Sequence, residues 1–243
     1  MPVALITGAS RGIGAATARH FAAAGFDLLL TARPSQELDD VASELRGLGR
    51  RIETCGLDLG APEAIGPAIE ELCSRGERPS VVINNAGVAW TGPLATMPLE
   101  RWQWLLQLNL TSIFQICQVV LPLLRRCDEP GREQAGGLIV NVSSHAARNA
   151  FPGWGAYCIS KAALQSFSRC LAEEERAHGV RVSTLTLGSV NTPLWDSETV
   201  DSCFDRRAML VPEQAAAALL VLAQQPATQV VEDLTLMPTA GAF

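Results

Sequence analysis

The chain has 243 residues, 48% of them hydrophobic and 18% charged, with a formal net charge of −6 at pH 7. This composition is that of a globular chain whose length suffices for a large core without disulfide or metal staples, and its acidic balance offers no basic field to hold nucleic acid. The seven cysteines and three histidines are scattered without a C-x-x-C pair, so we expect no metal site.

The amino-terminal segment lacks a basic region and ends its apolar run after four residues, which argues against a signal peptide. No apolar run approaches the roughly 18 residues needed to span a bilayer. We therefore expect a cytoplasmic protein with reduced thiols and no membrane partner.

Short apolar runs alternate with amphipathic stretches along the whole chain, which predicts one α/β domain over 1–243. Because the runs are continuously apolar, both faces of the sheet should be covered, as in a Rossmann-type doubly wound parallel sheet of about seven strands. The predicted strands are 3–6, 27–31, 51–56, 81–84, 137–142, 181–187 and 233–237. The predicted helices are 12–24, 35–48, 61–75, 98–127, 155–178 and 212–224.

Two long irregular segments, 86–97 and 188–211, each follow a strand, where open α/β sheets place their ligand crevice. We expect 188–211 to be the substrate loop. The aromatic residues expected near its mouth suggest a partly apolar substrate; they are Trp90, Phe151, Trp154, Trp195 and Phe204.

A glycine-rich loop, Thr7-Gly8-Ala9-Ser10-Arg11-Gly12-Ile13-Gly14, directly follows the first strand and opens a helix. Glycines there permit a tight turn and let backbone N–H groups and the helix N-terminus approach a pyrophosphate. The spacing is not the generic G-x-G-x-x-G, and a purely structural turn is the alternative. The position at the start of a strand–turn–helix unit favours dinucleotide binding.

The end of the second strand predicts which dinucleotide is bound. A carboxylate about 20 residues past the loop would accept ribose hydroxyls, whereas an arginine there pairs with a 2′-phosphate. No acid lies between 28 and 36, and Arg33 and Arg11 are available. The sequence therefore favours NADP over NAD, with solvated surface charges as the alternative interpretation of both arginines.

The chain has a single tyrosine and, against eighteen arginines, a single lysine, and these two residues lie four apart. Tyr157 and Lys161 therefore share one face of a predicted helix. A lysine kept where the chain otherwise uses arginine indicates a need for a compact ammonium. A structural ion pair is the alternative to a catalytic pair.

The motifs together resemble the short-chain dehydrogenase/reductase family along nearly the whole chain. The matching segments occur in the family's order: the glycine loop, Asn84-Asn85-Ala86-Gly87, Asn109, Ser144 and Tyr157-x-x-x-Lys161. Ser144 is preferred over Ser143 because it lies 13 residues before the tyrosine, the usual family separation. The family usually has proline where this chain has Leu187, so the entrance of the following loop lacks a fixed φ.

The resemblance implies catalytic roles for four residues. Tyr157 is the general acid or base, Ser144 donates a hydrogen bond to the same substrate oxygen, Lys161 holds the nicotinamide ribose, and Asn109 holds a water that relays protons. The cofactor-binding residues that the resemblance and the motifs imply are Gly8, Ser10, Arg11, Gly12, Ile13, Gly14, Arg33, Asp58, Leu59, Asn85, Ala86, Gly87, Tyr157, Lys161, Gly188, Val190 and Thr192. For Asn109 the alternative is a polar residue that bends its helix. His145 adjoins Ser144 and is a candidate substrate contact, with a loop residue without a chemical role as the favoured alternative.

The expected function is NADPH-dependent hydride transfer between the nicotinamide and a carbonyl or secondary alcohol substrate, with 3-oxoacyl thioesters among the candidates. The alternatives are an alcohol dehydrogenase that works mainly in the oxidative direction and an NADP-binding sensor without turnover. The resemblance also implies a homo-oligomer, a tetramer or dimer, with contacts through 98–127, 155–178 and the apolar tail 234–243. Finally, we expect the Lys161 ammonium to lower the pKa of Tyr157 below its reference value of about 10.

Overall fold

The chain's alternating pattern forms one sheet of seven parallel strands, and the computed structural model describes residues 1–126, 135–201 and 204–241 of it. The strand order is β3-β2-β1-β4-β5-β6-β7. The strands are β1 Val3–Thr7, β2 Asp27–Ala32, β3 Ile52–Gly56, β4 Val81–Asn84, β5 Leu138–Ser144, β6 Arg181–Leu187 and β7 Asp233–Leu236. The helices are α1 Gly12–Ala23, α2 Gln36–Arg46, α3 Pro62–Arg75, α4 Leu99–Leu106, α5 Ser112–Leu124, α6 Gly155–Glu175 and α7 Pro212–Ala223.

Helices cover both faces of the sheet. The central strands are therefore buried along their whole length. Apolar residues of α1, α2 and α7 form one hydrophobic cluster with one face, and those of α3, α5 and α6 form a second cluster with the other. The doubly wound parallel sheet predicted from the continuous apolar runs is confirmed, and so is the number of strands.

The strand order reverses at β1, which lies between β2 and β4. The chain leaves β1 towards one half of the sheet and returns through β4 to build the other half, so the connections after these two strands diverge. A crevice therefore opens at the carboxyl ends of β1 and β4, the usual ligand site of such sheets.

The long helix predicted over 98–127 is interrupted. A π-helical turn, Gln107–Thr111, separates α4 from α5, and residue 127 lies outside the described residues. The fully buried Asn109 lies in this turn and bonds through its side chain to the backbone of Val88, where its amide nitrogen donates and its amide oxygen accepts. Single π turns of this kind frequently mark functional sites.

The combined helical stretch Leu99–Leu124 is long and apolar enough to cross a membrane by length and composition alone, with a mean hydropathy of 1.4. The sequence prediction concerned uninterrupted apolar runs, and polar residues such as Gln103, Gln107 and Asn109 interrupt this stretch. Part of its apolar surface, including Ile113, Ile116 and Val120, is buried against the sheet. Core helices pass the same test, so the match is weak evidence for a membrane span.

A buried polar network ties α6, the helix that carries Tyr157 and Lys161, to the middle of the sheet. The Asn84 amide donates to Asn141 Oδ1 at 2.8 Å, and the Asn141 amide donates to Ser168 Oγ at 2.8 Å. All three side chains are almost fully buried. Because buried amides must find partners, this network fixes how the helix lies on β4 and β5.

Replacing Asn141 with alanine should destabilise the protein by about 3 kcal/mol, because the Asn84 amide and the Ser168 hydroxyl would each lose a buried partner. Urea unfolding measures the change. The exposed Asn149→Ala is the matched control and should stay within about 0.5 kcal/mol of the wild type. Equal stability of the two variants would contradict the structural role of the network.

Candidate active site

A cleft of about 1150 Å³ runs along the carboxyl edge of the sheet, and its lining brings the predicted site residues together. Every site residue predicted from the sequence lines this cleft except Gly14 and Asn109, which lie directly behind the lining. The two ends differ in chemistry. The glycine loop and Arg33 form one end, and Tyr157 and the substrate loop form the other.

The glycine loop makes a tight turn because its glycines adopt backbone conformations and close contacts that other residues would adopt only with strain. Gly8 and Gly12 have φ values of 67° and 54°, in the left-handed region. A Cβ on Gly14 would lie 2.0 Å from the carbonyl oxygen of Gly8, so only glycine fits there. The N-terminus of α1 thus opens into the cleft without an acidic residue in its first turn, and this arrangement suits an anion.

Asn85 and Thr7 join the glycine loop to the segment after β4. The Thr7 hydroxyl accepts hydrogen bonds from the backbone N–H groups of Asn85 and Ala86, both at 3.0 Å. The Asn85 amide donates to the carbonyl oxygen of Thr7 at 2.9 Å. The Asn85 side chain therefore holds the two sides of the crevice together. Its partner is Thr7, to which the sequence analysis assigned no role.

Arg33 lies at the end of β2, exposed at the rim of the cleft. Among the described residues, it forms no hydrogen bond or ion pair, so its guanidinium is available to a bound group. Arg11, in the glycine loop, also lines the cleft, and its positive charge contributes to lowering the pKa of Asp196. Asp58, exposed on the same rim, accepts a hydrogen bond from the backbone of Gly60 at 2.8 Å, which fixes its carboxylate at the cleft.

Tyr157, Ser144 and Lys161 meet in the middle of the cleft. The Tyr157 hydroxyl lies beside Ser144, which ends β5 and acts to lower the pKa of the phenol. The Lys161 ammonium nitrogen lies 5.9 Å from the centre of the tyrosine ring and donates to the carbonyl oxygen of Val142 at 2.9 Å. Ser143, the alternative serine, is buried and directs its hydroxyl to the backbone of Lys161. The structure therefore places Ser144, and not Ser143, beside the phenol.

Asn109 lies behind this group. Its amide donates to Ser160 Oγ at 3.0 Å, and Ser160 Oγ donates to the carbonyl oxygen of Tyr157 at 2.8 Å. A Cβ on Gly87 would meet both Asn109 Oδ1 at 3.3 Å and Lys161 Nζ at 3.5 Å, so both polar groups approach the backbone of Gly87. The sequence analysis assigned no role to Ser160, whose hydrogen bond with Asn109 depends on the π-helical turn.

The pKa of Tyr157 beside Lys161 differs from the prediction. Burial raises the pKa of Tyr157 to about 12, and the hydrogen bond with Ser144 opposes this rise. Burial also lowers the pKa of Lys161 to about 8. The expectation that the ammonium would bring the tyrosine pKa below 10 was therefore wrong. The physical reason is that burial of the phenol, which disfavours the charged phenolate, outweighs the opposing effect of Ser144.

The loop after β6 follows a defined path without the family's usual proline. Leu187 is buried and continues the strand, paired with Ser144 of β5 and Leu236 of β7. The backbone N–H of Gly188 donates to the carbonyl oxygen of Leu236 at 2.9 Å, and Val190 forms an isolated bridge with Leu210. Strand pairing thus replaces the missing proline as the constraint on the loop entrance.

Aromatic rings line the other end of the cleft. Phe151, Trp154, Trp195 and Phe204 line it as the sequence predicted, but Trp90 does not. Trp104, from α4, lines the cleft instead. Its contribution depends on how α4 packs across the sheet, and no signal in the sequence around residue 104 indicates it.

Comparisons with known proteins agree with this geometry. A sequence model of the short chain dehydrogenase family matches residues 2–202. Sulfoacetaldehyde reductase 2 of Chromohalobacter salexigens is 33% identical, over 99% of this chain and 96% of that protein. A metagenomic short-chain oxidoreductase in complex with NADP has a TM-score of 0.81 and 33% identity, covering 98% of this chain and 97% of the other. An alcohol dehydrogenase from Thermococcus sibiricus, complexed with 5-hydroxy-NADP, has a TM-score of 0.86 and 28% identity, covering 98% of this chain and 97% of the other.

The chain therefore belongs to the short-chain dehydrogenase/reductase family, an oxidoreductase family that uses nicotinamide cofactors. The predicted family, fold and cofactor class are confirmed. The cleft fits such a cofactor, since the glycine loop and the N-terminus of α1 suit a pyrophosphate and the amine of the buried Lys161 reaches the cleft beside Tyr157.

The single tyrosine makes the burial of the phenol directly measurable. At pH 10.5 a free phenol would be about three quarters ionised, whereas one with a pKa of about 12 would be only a few per cent ionised. We expect little phenolate absorbance from the folded protein at this pH, and a large increase when denaturant is added. NADP⁺ should lower the pKa, because its nicotinamide ring is positively charged.

Circular dichroism at pH 10.5 provides the control that the protein is folded. Ser144→Ala should raise the pKa of the tyrosine further, because the hydrogen bond with Ser144 favours the phenolate. Full ionisation of the folded wild-type protein at pH 10.5 would contradict the burial of Tyr157.

Proposed function

We propose that this protein is an NADPH-dependent oxidoreductase that transfers hydride between the nicotinamide and a carbonyl or secondary alcohol substrate. The observation that carries the proposal is the group of Tyr157, Ser144 and Lys161 in one cleft with the glycine loop. The NADP complexes of the similar structures and the reductase activity in the name of the similar protein support it.

The bound cofactor supplies the hydride, and the residues of this chain supply the proton and the orientation. Ser144 and Tyr157, which lie side by side in the cleft, would both bind the substrate oxygen. Tyr157 is protonated at neutral pH, as a general acid must be, and gives its proton to the oxygen as negative charge develops there. Ser144 donates a hydrogen bond to the same oxygen.

Lys161 binds and orients the nicotinamide ribose in this proposal. Its ammonium donates one hydrogen bond to a described residue, to the carbonyl oxygen of Val142, and the remaining N–H donors suit ribose hydroxyls. With a pKa of about 8, it is charged at neutral pH yet close enough to neutrality to exchange protons. Asn109, near the same nitrogen across Gly87, would hold the water that returns a proton to it.

The remaining assignments are proposals of the same kind. The glycine loop binds the pyrophosphate, Asp58 and Leu59 the adenine, and Arg33 with Arg11 the 2′-phosphate. The segment Asn85 to Gly87 and the loop that contains Gly188, Val190 and Thr192 border the nicotinamide end. Residues 188–211 form the substrate loop, of which 202 and 203 lie outside the described residues.

Consumption of NADPH with a panel of aldehydes and ketones tests the proposal. Tyr157→Phe should reduce kcat by about 10² to 10⁴, because the general acid is lost while the ring remains. Binding of NADPH, measured by its fluorescence, should persist in the variant. If the wild type turns over none of the carbonyl and alcohol compounds in a broad panel, the result would instead favour a sensor that binds NADP without turnover. Undiminished turnover by Tyr157→Phe would contradict the acid role.

Cofactor choice depends on Arg33, whose guanidinium has no partner among the described residues. We expect NADPH to be preferred over NADH. Arg33→Ala should weaken NADPH binding about tenfold or more, the size of one charge-assisted hydrogen bond, and leave NADH binding unchanged. Arg176→Ala, which removes an exposed positive charge outside the cleft, is the matched control. Equal catalytic efficiency of the wild type with both cofactors would contradict the assignment.

The direction of the reaction has a second candidate. The similar Thermococcus sibiricus structure is an alcohol dehydrogenase, so oxidation of an alcohol by the same site is the alternative to carbonyl reduction. The same residues serve both directions, since Tyr157 would then accept the proton.

We also propose that the protein is a cytoplasmic homo-oligomer, a tetramer or dimer. The exposed Phe114 of α5 packs edge-on against Phe167 of α6 at 6.5 Å, and this apolar face suits a helix-to-helix contact with a second copy. A tail contact would involve residues 234–243, of which 242 and 243 lie outside the described residues. Light scattering at micromolar concentration measures the state, and a monomer would contradict it.

A further inference from the structure

A row of four aromatic rings begins at the catalytic phenol and follows the substrate end of the cleft. The ring of Trp154 lies 5.7 Å from that of Tyr157, Trp195 lies 5.7 Å from Trp154, and Phe204 lies 5.5 Å from Trp195. Successive rings are tilted or perpendicular, with interplanar angles of 73°, 59° and 90°. These are the edge-to-face arrangements that aromatic groups prefer.

The row is held in place by hydrogen bonds. Trp195 Nε1 donates to the carbonyl oxygen of Val190 at 2.8 Å, so the indole has its polar atom satisfied and offers its apolar surface to the cleft. The Thr199 hydroxyl donates to the carbonyl oxygen of Ala89 at 2.7 Å, which fastens the substrate loop to the segment after β4. Rigid rings cost little entropy on binding, so a fixed aromatic surface can select a ligand.

The charges at this end are negative. Asp196 and Glu198 line the cleft here, and Arg11 of the glycine loop is close enough to Asp196 to contribute to lowering its pKa. The nearby Arg206 is used internally: its guanidinium donates to Asp196 Oδ1 at 2.8 Å and to Asn191 Oδ1 at 2.7 Å.

Lys161 and the imidazole of His145 lie among the described lining residues near the reacting atoms. Lys161 donates to Val142, and the ring of His145 lies against that of Phe151 at a distance of 6.5 Å between ring centres. Neither extends along the aromatic row. An anionic group on a substrate would therefore face the carboxylate of Glu198, since Asp196 and Arg206 are engaged with each other, and like charges repel.

From the ring row and the charge distribution, and resting on the proposed carbonyl reduction, we propose that the substrates of this site are neutral aromatic carbonyl compounds, aryl aldehydes or ketones. The carbonyl oxygen binds at Tyr157 and Ser144. The aryl group packs along Trp154, Trp195 and Phe204. Small anionic aldehydes, such as sulfonated ones, are poor substrates.

Two matched substrate pairs test the two parts of the proposal. Benzaldehyde and cyclohexanecarbaldehyde differ in aromaticity at similar size. Methyl 4-formylbenzoate and 4-formylbenzoate differ chiefly in charge. Because the compounds differ in intrinsic reactivity, the informative quantity is how the ratio of kcat/KM values within a pair changes between enzyme variants. Intrinsic reactivity cancels in that comparison.

Trp195→Leu and Phe204→Leu should each lower the ratio of benzaldehyde to cyclohexanecarbaldehyde by about three- to tenfold, the size of one aromatic contact beyond its buried area. Trp195→Leu also removes the hydrogen bond from the indole to Val190, whereas the phenylalanine side chain has no such donor. Phe204→Leu therefore tests the ring contact even if Trp195→Leu disturbs the loop. Trp102→Leu, on α4 outside the cleft lining, is the matched control and should leave the ratio unchanged.

The charge of the cleft is tested by Glu198→Gln. The wild type should prefer the methyl ester over 4-formylbenzoate, and the variant should reduce this preference by about threefold, a modest effect because the carboxylate is exposed. An equal preference of wild type and variant, or a wild-type preference for the anion, would overturn the charge part of the proposal.

A binding measurement separates this proposal from the proposed function. Benzamide and cyclohexanecarboxamide resemble the two aldehydes but resist hydride reduction, and calorimetry with NADP⁺ present measures their affinities. Benzamide should bind more tightly, and Phe204→Leu should remove the difference. Absence of turnover with tighter benzamide binding would overturn the proposed function and leave aromatic recognition supported. Turnover with no aromatic preference, in binding or in the ratios, would overturn the aromatic proposal alone.

Discussion

The burial of one ammonium group beside one phenol is the constraint on which the rest of the site depends. Lys161 is only 4% exposed, and removing its charge from water is costly unless the structure supplies partners. The carbonyl oxygen of Val142, in β5 two residues before the strand ends, is one partner. The cost appears in the pKa of about 8, which keeps the ammonium protonated at neutral pH by a small margin. A group so close to its titration point responds readily to any charge bound near it.

The scaffold around this pair is organised to keep it in position. Helix α6 carries both residues, the polar network of Asn84, Asn141 and Ser168 holds that helix on the sheet, and the π-helical turn brings Asn109 to its other side. None of these contacts adds much net stability, since each exchanges hydrogen bonds with water for hydrogen bonds within the protein. Their effect is geometric, because a misplaced partner would leave a buried polar group unsatisfied.

How much the sequence could predict follows from which features are local. The seven strands and the doubly wound sheet follow from the apolar runs, and the glycine loop and the spacing of Tyr157 and Lys161 lie within a few residues of each other. The π-helical turn, the contact of Trp104 with the cleft and the rise in the tyrosine pKa depend instead on packing between distant elements. Opposing effects of burial and charge on a pKa can be named from a sequence, but the winner is decided by how completely water is excluded.

The cleft is electrically asymmetric, and this asymmetry assigns its two ends. Arg33 and Arg11, with the N-terminus of α1, make the glycine-loop end attractive to phosphates. Asp196 and Glu198 make the other end unattractive to them. The hydrogen bonds from Arg206 hold the pKa of Asp196 below its usual range, so this carboxyl stays ionised through neutral pH. A dinucleotide, whose charge is concentrated on its phosphates, is therefore favoured in one orientation. In the proposed orientation its phosphates would bind at the glycine loop, and its uncharged reduced ring would face Tyr157 and the aromatic row.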